Sequence, residues 1–249
     1  MAEMMKGNEA IAEAAIRAGA RFYAGYPITP SSEIMEYLSW RMNEVGGAFV
    51  QAESELAGIN MVIGASSCGV RALTASSGPG ISLKQEGIST LCDEGLPAVV
   101  ITQVRYGNGL GTLFTSQCDY HRETRGGGQG DYRCIVLCPS SIQEFVDLML
   151  PAYELAEKYR IVTIMMGEGT LGQMMEPVEL PDFVEPKRTP WALNGHYTYK
   201  KIGIFERDSM AEAVELRAKY AEIKENEQRW EEEDIADADY VFVAYGVPG

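Results

Sequence analysis

At 249 residues the chain can fold as one large domain or as one domain plus part of another. Its formal net charge of −15 excludes nucleic acid and anionic membrane surfaces as expected partners, because both are gripped by clustered Lys and Arg. No apolar run reaches the roughly 18 residues of a transmembrane helix, and MAEMMKGNEA reads as charged and helical from the start rather than as a signal peptide. The cytoplasm is the expected location.

Residues 6–18 carry Ala10, Ile11, Ala14, Ala15 and Ala18 at helical spacing, and Gly19 ends that helix. Residues 21–26 are strand-like. PITPSS (27–32) follows as a stiff turn, with Ser31 or Thr29 placed to cap a helix over 33–43. Its two prolines fix the Thr29 and Ser31 hydroxyls at a helix start beside a strand end, where donors suit an anionic or carbonyl ligand. The competing reading is that both only cap the helix.

Residues 48–50 form a short strand. Residues 51–85 then read as helix, strand, glycine turn, helix, and the rest of the chain is organised around them. Glu53 and Glu55 open the first helix, whose inward face is predicted to carry Leu56, Ile59, Met61 and Ile63. A strand over 70–75 runs into Ser76-Ser77-Gly78-Pro79-Gly80, and the next helix is expected to begin near Ile81. Ligands of parallel α/β sheets bind outside the carboxyl ends of the strands. A glycine turn there admits a ligand that a Cβ would hold off. A carboxylate just upstream of such a turn points to a cofactor site.

Residues 96–104 are continuously apolar over their middle, as in a strand buried on both faces, and Arg105 emerges at the end. The glycine-rich stretches 107–120 and 126–131 read as loops that close a site. Residues 134–137 are a strand, 140–159 a helix bent by Pro151, and 160–166 the last strand of the sheet. This alternation predicts an α/β fold with a doubly wound parallel sheet. Beyond it, 176–204 reads as an extended linker, 208–234 as a solvated charged helix, and 239–244 as a new strand. The expected organisation is a domain over 1–180, a linker and charged helix over 181–236, and the truncated start of a second α/β domain over 237–249.

Five cysteines without a C-x-x-C pair predict buried free thiols in a reducing compartment. Only His121 and His196 are present, which argues against a histidine-rich metal site or a Ser-His-Asp arrangement and leaves His121 as a lone proton carrier. No metal ligand is expected in this chain.

Three segments, GYPITPSSEI (25–34), ESELAGINM (53–61) and TASSGPGISL (74–83), together resemble the pyrimidine-binding domain of thiamine-diphosphate enzymes. With MKGNEAIAEAAIRAG (5–19), QAESE (51–55), SGPGISLKQEGIS (77–89) and LGQMMEPVELP (171–181), the set is more closely similar to the alpha subunit of 2-oxoacid:ferredoxin oxidoreductases. The resemblance implies that Glu55 is the glutamate hydrogen-bonded to the pyrimidine N1′, with Glu53 its competitor. That bond favours the tautomer in which the cofactor's own 4′-nitrogen takes the thiazolium proton, and burial of the carboxyl strengthens the contact. It further implies that Thr29 contacts substrate and cofactor, and that Pro30, Ser31, Gly78 and Gly80 line the cofactor. Arg105 is the candidate for the 2-oxo acid's carboxylate, a group its planar fork suits; a strand-end salt bridge is the alternative. Where relatives acting on 2-oxoglutarate carry an arginine in the loop near 109–119, Leu113 and Phe114 stand here, which leans towards an apolar, branched-chain 2-oxo acid.

Gly130-Asp131-Tyr132 is not the G-D-G diphosphate and magnesium motif, and GPGISLKQ lacks the G-K-[ST] ending of a P-loop. The chain is therefore expected to supply only the pyrimidine half of a shared thiamine diphosphate site. The resemblance implies a beta subunit bringing the diphosphate-binding domain and Mg2+, gamma and ferredoxin-like delta subunits or domains, and iron–sulfur clusters on those partners. It also implies coenzyme A as acyl acceptor and ferredoxin as electron acceptor. The assembled enzyme would convert a branched-chain 2-oxo acid or 2-oxoglutarate to acyl-CoA in an anaerobic cytoplasm, the isolated chain being inactive. Two further readings remain: a non-catalytic nucleotide-binding module that uses the SGPG turn for phosphate, and the pyrimidine subunit of a non-redox thiamine enzyme.

Overall fold

The computed structural model describes residues 2–107, 113–185, 189–193 and 209–249. Strand β1 (Glu3–Lys6) leads directly into helix α1 (Gly7–Arg17). Three strand–helix units follow: β2 (Phe22–Gly25) with α2 (Ser32–Glu44), β3 (Ala48–Gln51) with α3 (Glu55–Ser67), and β4 (Ala72–Ser76) with α4 (Gly78–Asp93). Next come β5 (Ala98–Val104), α5 (Tyr120–Arg125), β6 (Ile135–Leu137), α6 (Ile142–Asp147) and α7 (Met149–Tyr159). The series ends with β7 (Val162–Glu168), α8 (Gly169–Gln173), β8 (Met175–Val178) and α9 (Ser209–Asn226).

Six strands make one sheet in the order β3-β2-β4-β5-β7-β6, every pairing parallel. Helices cover both faces. α3 and α4 pack together on one, while α1 packs against α2, α6, α7 and α8. Every residue of β4, β5 and β7 is buried, which is why these strands read as near-continuous apolar runs. Because the strands are parallel, β2, β4, β5 and β7 all point their carboxyl ends at one edge, and the connections leaving that edge carry the candidate residues.

Several elements depart from the sequence reading. The N-terminus is not helical from the start: Glu3–Lys6 pairs antiparallel with Met175–Val178, a long-range partnership no local periodicity announces. The helix over 140–159 is two helices meeting at Leu148. Pro151 has no N–H to bond the Asp147 carbonyl, so the ladder breaks rather than bends. α4 is assigned from Gly78 instead of Ile81, with Pro79 in its first turn, where a missing N–H costs nothing.

On α3 the inward face is Glu55, Ile59, Val62 and Ser66, whereas Leu56 is 43 % exposed and Met61 and Ile63 are half-buried. The charged helix α9 is docked rather than wholly solvated. Its Tyr220 and Ile223 pack on the core, and the Tyr220 hydroxyl accepts from the Arg133 N–H at 3.0 Å. Residues 239–244 form no strand and lie exposed, having no strand to pair with among the described residues. The predicted linker over 176–204 is described only in part: it begins as β8, continues without regular structure to Glu185, and is described again over 189–193.

Candidate active site at the carboxyl edge of the sheet

A three-residue connection, Ala52–Ser54, joins β3 to α3 and sets Glu55 at the first position of the helix. Ser54 caps that helix, its hydroxyl accepting from the Ala57 N–H at 3.1 Å. A carboxylate in a first turn is also favoured by the helix dipole. Glu55 is only 7 % exposed, while Glu53, the competing acid, is exposed.

Facing Glu55 is Gly80. A Cβ built there would collide with the Ser76 hydroxyl and lie 2.6 Å from Glu55 Oε1, so the carboxylate can pack this close to α4 only because residue 80 has no side chain. The buried hydroxyls of Ser76 and Ser77 have no hydrogen-bond partner. A buried acid, a glycine cradle and partnerless hydroxyls are the features that an aminopyrimidine, rich in donors and acceptors on a flat apolar ring, would satisfy. The residues present therefore fit the pyrimidine of thiamine diphosphate.

A residue that the sequence reading did not single out closes this wall. Lys84, wholly buried on α4, donates to Thr74 Oγ1 at 2.9 Å and to the Glu55 main-chain carbonyl at 3.4 Å. Burial pushes its ammonium down to about 8, against the attraction of the Glu55 charge. The signal was available in helical phase, since Lys84 lies between Ile81 and Ile88 on the buried face of α4.

The second cluster is the turn between β2 and α2. The Thr29–Pro30 peptide is cis. The Pro30 carbonyl accepts from Asn8 Nδ2 at 2.6 Å and Gln173 Nε2 at 3.1 Å, and Asn8 Oδ1 accepts from Gln103 Nε2 at 3.1 Å. Arg105 Nη1 donates to the Thr29 carbonyl at 2.7 Å. The turn is thus held from α1, α8 and β5 while Thr29 itself stays exposed. Ser31 stands at the N-cap position, but its hydroxyl donates to the Ile28 carbonyl at 2.9 Å and makes no cap bond. Neither Asn8 nor Gln173 is visible in the sequence as a support, because each acts across a long separation.

Gly78 links the clusters. Its φ of +43° is in the left-handed region, and a Cβ there would sit 3.3 Å from Arg105 Nε. Its carbonyl accepts from Arg122 Nη1 at 2.9 Å. Arg122 is held in turn by Asp119 at 3.1 Å and by the buried Glu123 at 2.7 Å, where burial drives the Glu123 carboxyl above its ordinary range despite that guanidinium. The structure thus brings Thr29, Pro30, Arg105 and Gly78 together, and sets Glu55 against Gly80 two residues further along.

Leu113 and Phe114 are 63 % and 73 % exposed, and residues 109–112 of the predicted specificity loop lie outside the described residues. His121 is exposed on α5, edge-on to Tyr120, and His196 lies outside the described residues. All five cysteines are free thiols; Cys68 and Cys118 are exposed rather than buried.

The family described as pyruvate flavodoxin/ferredoxin oxidoreductase, thiamine diP-bdg, matches residues 13–239. The chain is 49 % identical to the ketoisovalerate oxidoreductase subunit VorB of Methanothermobacter marburgensis, over 98 % of this chain and 72 % of that one. It is 38 % identical to the 2-oxoglutarate synthase subunit KorA of Methanocaldococcus jannaschii, over 99 % of this chain and 75 % of that one. Among solved structures, a 2-oxoglutarate:ferredoxin oxidoreductase from Magnetococcus marinus, with 2-oxoglutarate, coenzyme A and succinyl-CoA bound, superposes with a TM-score of 0.71 at 32 % identity. That likeness covers 75 % of this chain and 33 % of the solved one. A parallel sheet bearing a buried acid over a glycine cradle, and a match running through both, place this chain in the pyruvate flavodoxin/ferredoxin oxidoreductase family, over its thiamine-diphosphate-binding domain.

Proposed function

We propose that this chain is the subunit of a 2-oxoacid:ferredoxin oxidoreductase that binds the aminopyrimidine of thiamine diphosphate. The observation that carries the reading is Glu55, buried at the carboxyl edge of the sheet and packed against Gly80. When bound, thiamine diphosphate supplies a nucleophilic carbon at C2 of its thiazolium and an electron sink for decarboxylation of the 2-oxo acid. Glu55 holds a hydrogen bond at the pyrimidine N1′ and excludes water from it. Gly78 and Gly80 would let the backbone approach the ring, and Pro30 and Ser31 would help to hold it. Thr29 would contact substrate and cofactor, and Arg105 would take the substrate carboxylate as a bidentate fork.

The partners that follow are a beta subunit with the diphosphate-binding domain and Mg2+, gamma and ferredoxin-like delta subunits or domains with iron–sulfur clusters, and ferredoxin itself, in the cytoplasm. Coenzyme A accepts the acyl group. No helix among the described residues is long and apolar enough to cross a membrane. A branched-chain 2-oxo acid is the favoured substrate, on the apolar Leu113 and Phe114 and on the 49 % identity to a ketoisovalerate oxidoreductase subunit. 2-Oxoglutarate is the second choice.

Glu55→Gln in the reconstituted complex tests the assignment. The amide is isosteric and keeps a hydrogen bond but cannot hold the charge, so folding is expected to be intact and turnover to fall by about 10³-fold. Near-normal turnover would overturn the role of Glu55. Turnover of 2-oxoisovalerate, 2-oxoglutarate and pyruvate, followed with a reducible dye, assigns the substrate.

A further inference from the structure

We propose that Lys84 is the fixed countercharge of the Glu55 carboxylate, a positioning residue that holds the acid in place beside the cofactor's pyrimidine. This rests on the reading of Glu55 given above and adds a residue from the opposite wall.

A wholly buried ammonium is costly and persists only when something nearby offsets its charge. The two groups bonded to Lys84 do not: the Thr74 hydroxyl at 2.9 Å and the Glu55 main-chain carbonyl at 3.4 Å are neutral oxygens. The charged group that favours its protonated form is the Glu55 side chain, working against burial. Among the described residues the other elements around the pair contribute no rival. β4 offers the hydroxyls of Thr74 and Ser76, and α4 offers Gln85, its Glu86 being exposed. Arg105 and the Arg122–Glu123 pair gather at the Gly78 end of the cradle. Among the described residues the Glu55 carboxylate in turn has no ion-pair partner within contact distance. Lys84 on α4 and Glu55 on α3 are thus neighbours with no ion pair between their side chains, and the carboxylate packs against Gly80. An ammonium bonded directly to it would compete with the pyrimidine for the same oxygens. Held back by Thr74, Lys84 supplies field without blocking the acceptor.

The sign of the pH response follows. The Lys84 ammonium sits below its ordinary range, at about 8, so the countercharge is present below that pH and lost as pH rises through it.

The test is the exchange of the C2 proton of thiamine diphosphate, added with Mg2+ to the reconstituted complex and followed against pH, for wild type, Lys84→Met, Glu55→Gln and the double variant. The wild-type exchange rate is expected to fall above a pH of about 8. Lys84→Met should exchange roughly tenfold more slowly at pH 7 and show no such limb. Lys84→Arg, which keeps the charge, should recover part of the rate. A readout independent of the cofactor is the thermal midpoint of the complex: Lys84→Met should lower it, and adding Glu55→Gln should restore part of the loss, because the uncompensated buried charge is then gone.

A Lys84→Met profile that keeps its rate and its limb near pH 8, while Glu55→Gln is inactive, overturns the role of Lys84 alone. Normal exchange in Glu55→Gln overturns the underlying reading of Glu55. If Lys84→Met does not assemble, assembly of the double variant supports the countercharge. Failure of both variants to assemble makes Lys84 a structural pin and ends the proposal.

Discussion

Arg105 reaches from the end of β5 to donate to the Thr29 carbonyl at 2.7 Å, so the guanidinium proposed to grip the substrate is also the clasp on the turn that presents Thr29. One planar group with several N–H donors can do both at once. A lysine cannot, because its ammonium is a point charge on a flexible stem. Arg105→Lys is therefore expected to raise KM for the 2-oxo acid about tenfold through the lost fork, and to lower kcat as the Thr29 turn loosens. Steady-state kinetics of the reconstituted complex check this. A change in KM alone would remove the clasp from the account, and a change in kcat alone would remove the grip.

Gly80→Ala separates the cradle from the fold. Alanine is the better helix former by about 1 kcal/mol, so α4 gains propensity. The new methyl, however, has nowhere to go: it would strike the Ser76 hydroxyl and lie 2.6 Å from Glu55 Oε1. Both the Ser76 hydroxyl and the Glu55 carboxylate must give way, which shifts the acid from its place. The expected result is binding of thiamine diphosphate to the complex weakened by an order of magnitude or more, about 1.4 kcal/mol at the least, with little change in the thermal midpoint of the complex. Unimpaired binding in titration calorimetry would show that the seating of Glu55 against Gly80 does not support the cofactor.

Much of this arrangement was legible in the sequence, for identifiable physical reasons. β4, β5 and β7 are buried on both faces and so carry unbroken apolar runs, while α1 and α2 show their inward stripe at helical spacing. That Glu55 and the Ser76–Gly80 turn meet was legible because a helix-start acid and a glycine turn at a strand end are locally encoded, and the fold sets Glu55 against Gly80. The phase of α3 was not, because apolar residues lie on several sides of it, and Leu56 points outward where Glu55 points in. Asn8 and Gln173 act through contacts between distant segments, which no window on the chain reveals, whereas Lys84 was marked by its place on the buried face of α4. The strand over 239–244 failed for a related reason: a β pattern becomes a strand only when another strand pairs with it, and Phe242 and Val243 are each 95 % exposed.

A last expectation concerns acid stability and the junction of α1 with α2. Glu13, 3 % exposed on α1, accepts from Arg17 Nε and from Arg41 Nε, each at 2.9 Å, from Arg41 Nη2 at 3.1 Å, and from the Tyr37 hydroxyl at 3.2 Å. The Phe183 ring lies under both guanidiniums, at 4.9 and 5.8 Å, which ties the segment after β8 to the same knot. Burial alone would raise the Glu13 carboxyl; the bonds and charges of the two arginines outweigh it and hold the group below its ordinary range. A folded pKa depressed below the unfolded one adds stability that is complete above the unfolded value of about 4.3 and is lost as pH falls through the folded value. Glu33 is shifted in the same direction, so the informative quantity is the difference between variants rather than the absolute curve. Glu13→Gln should cost about 1–3 kcal/mol at pH 7, the arginines being partly solvated and therefore cheap to leave behind. As pH falls below about 4.3 the wild-type and variant unfolding midpoints should draw together, since protonation removes from Glu13 the charge that the substitution removes at every pH. Urea unfolding of the complex between pH 3.5 and 7 measures this, and two parallel curves would mean that the charge on Glu13 is not what ties α1 to α2.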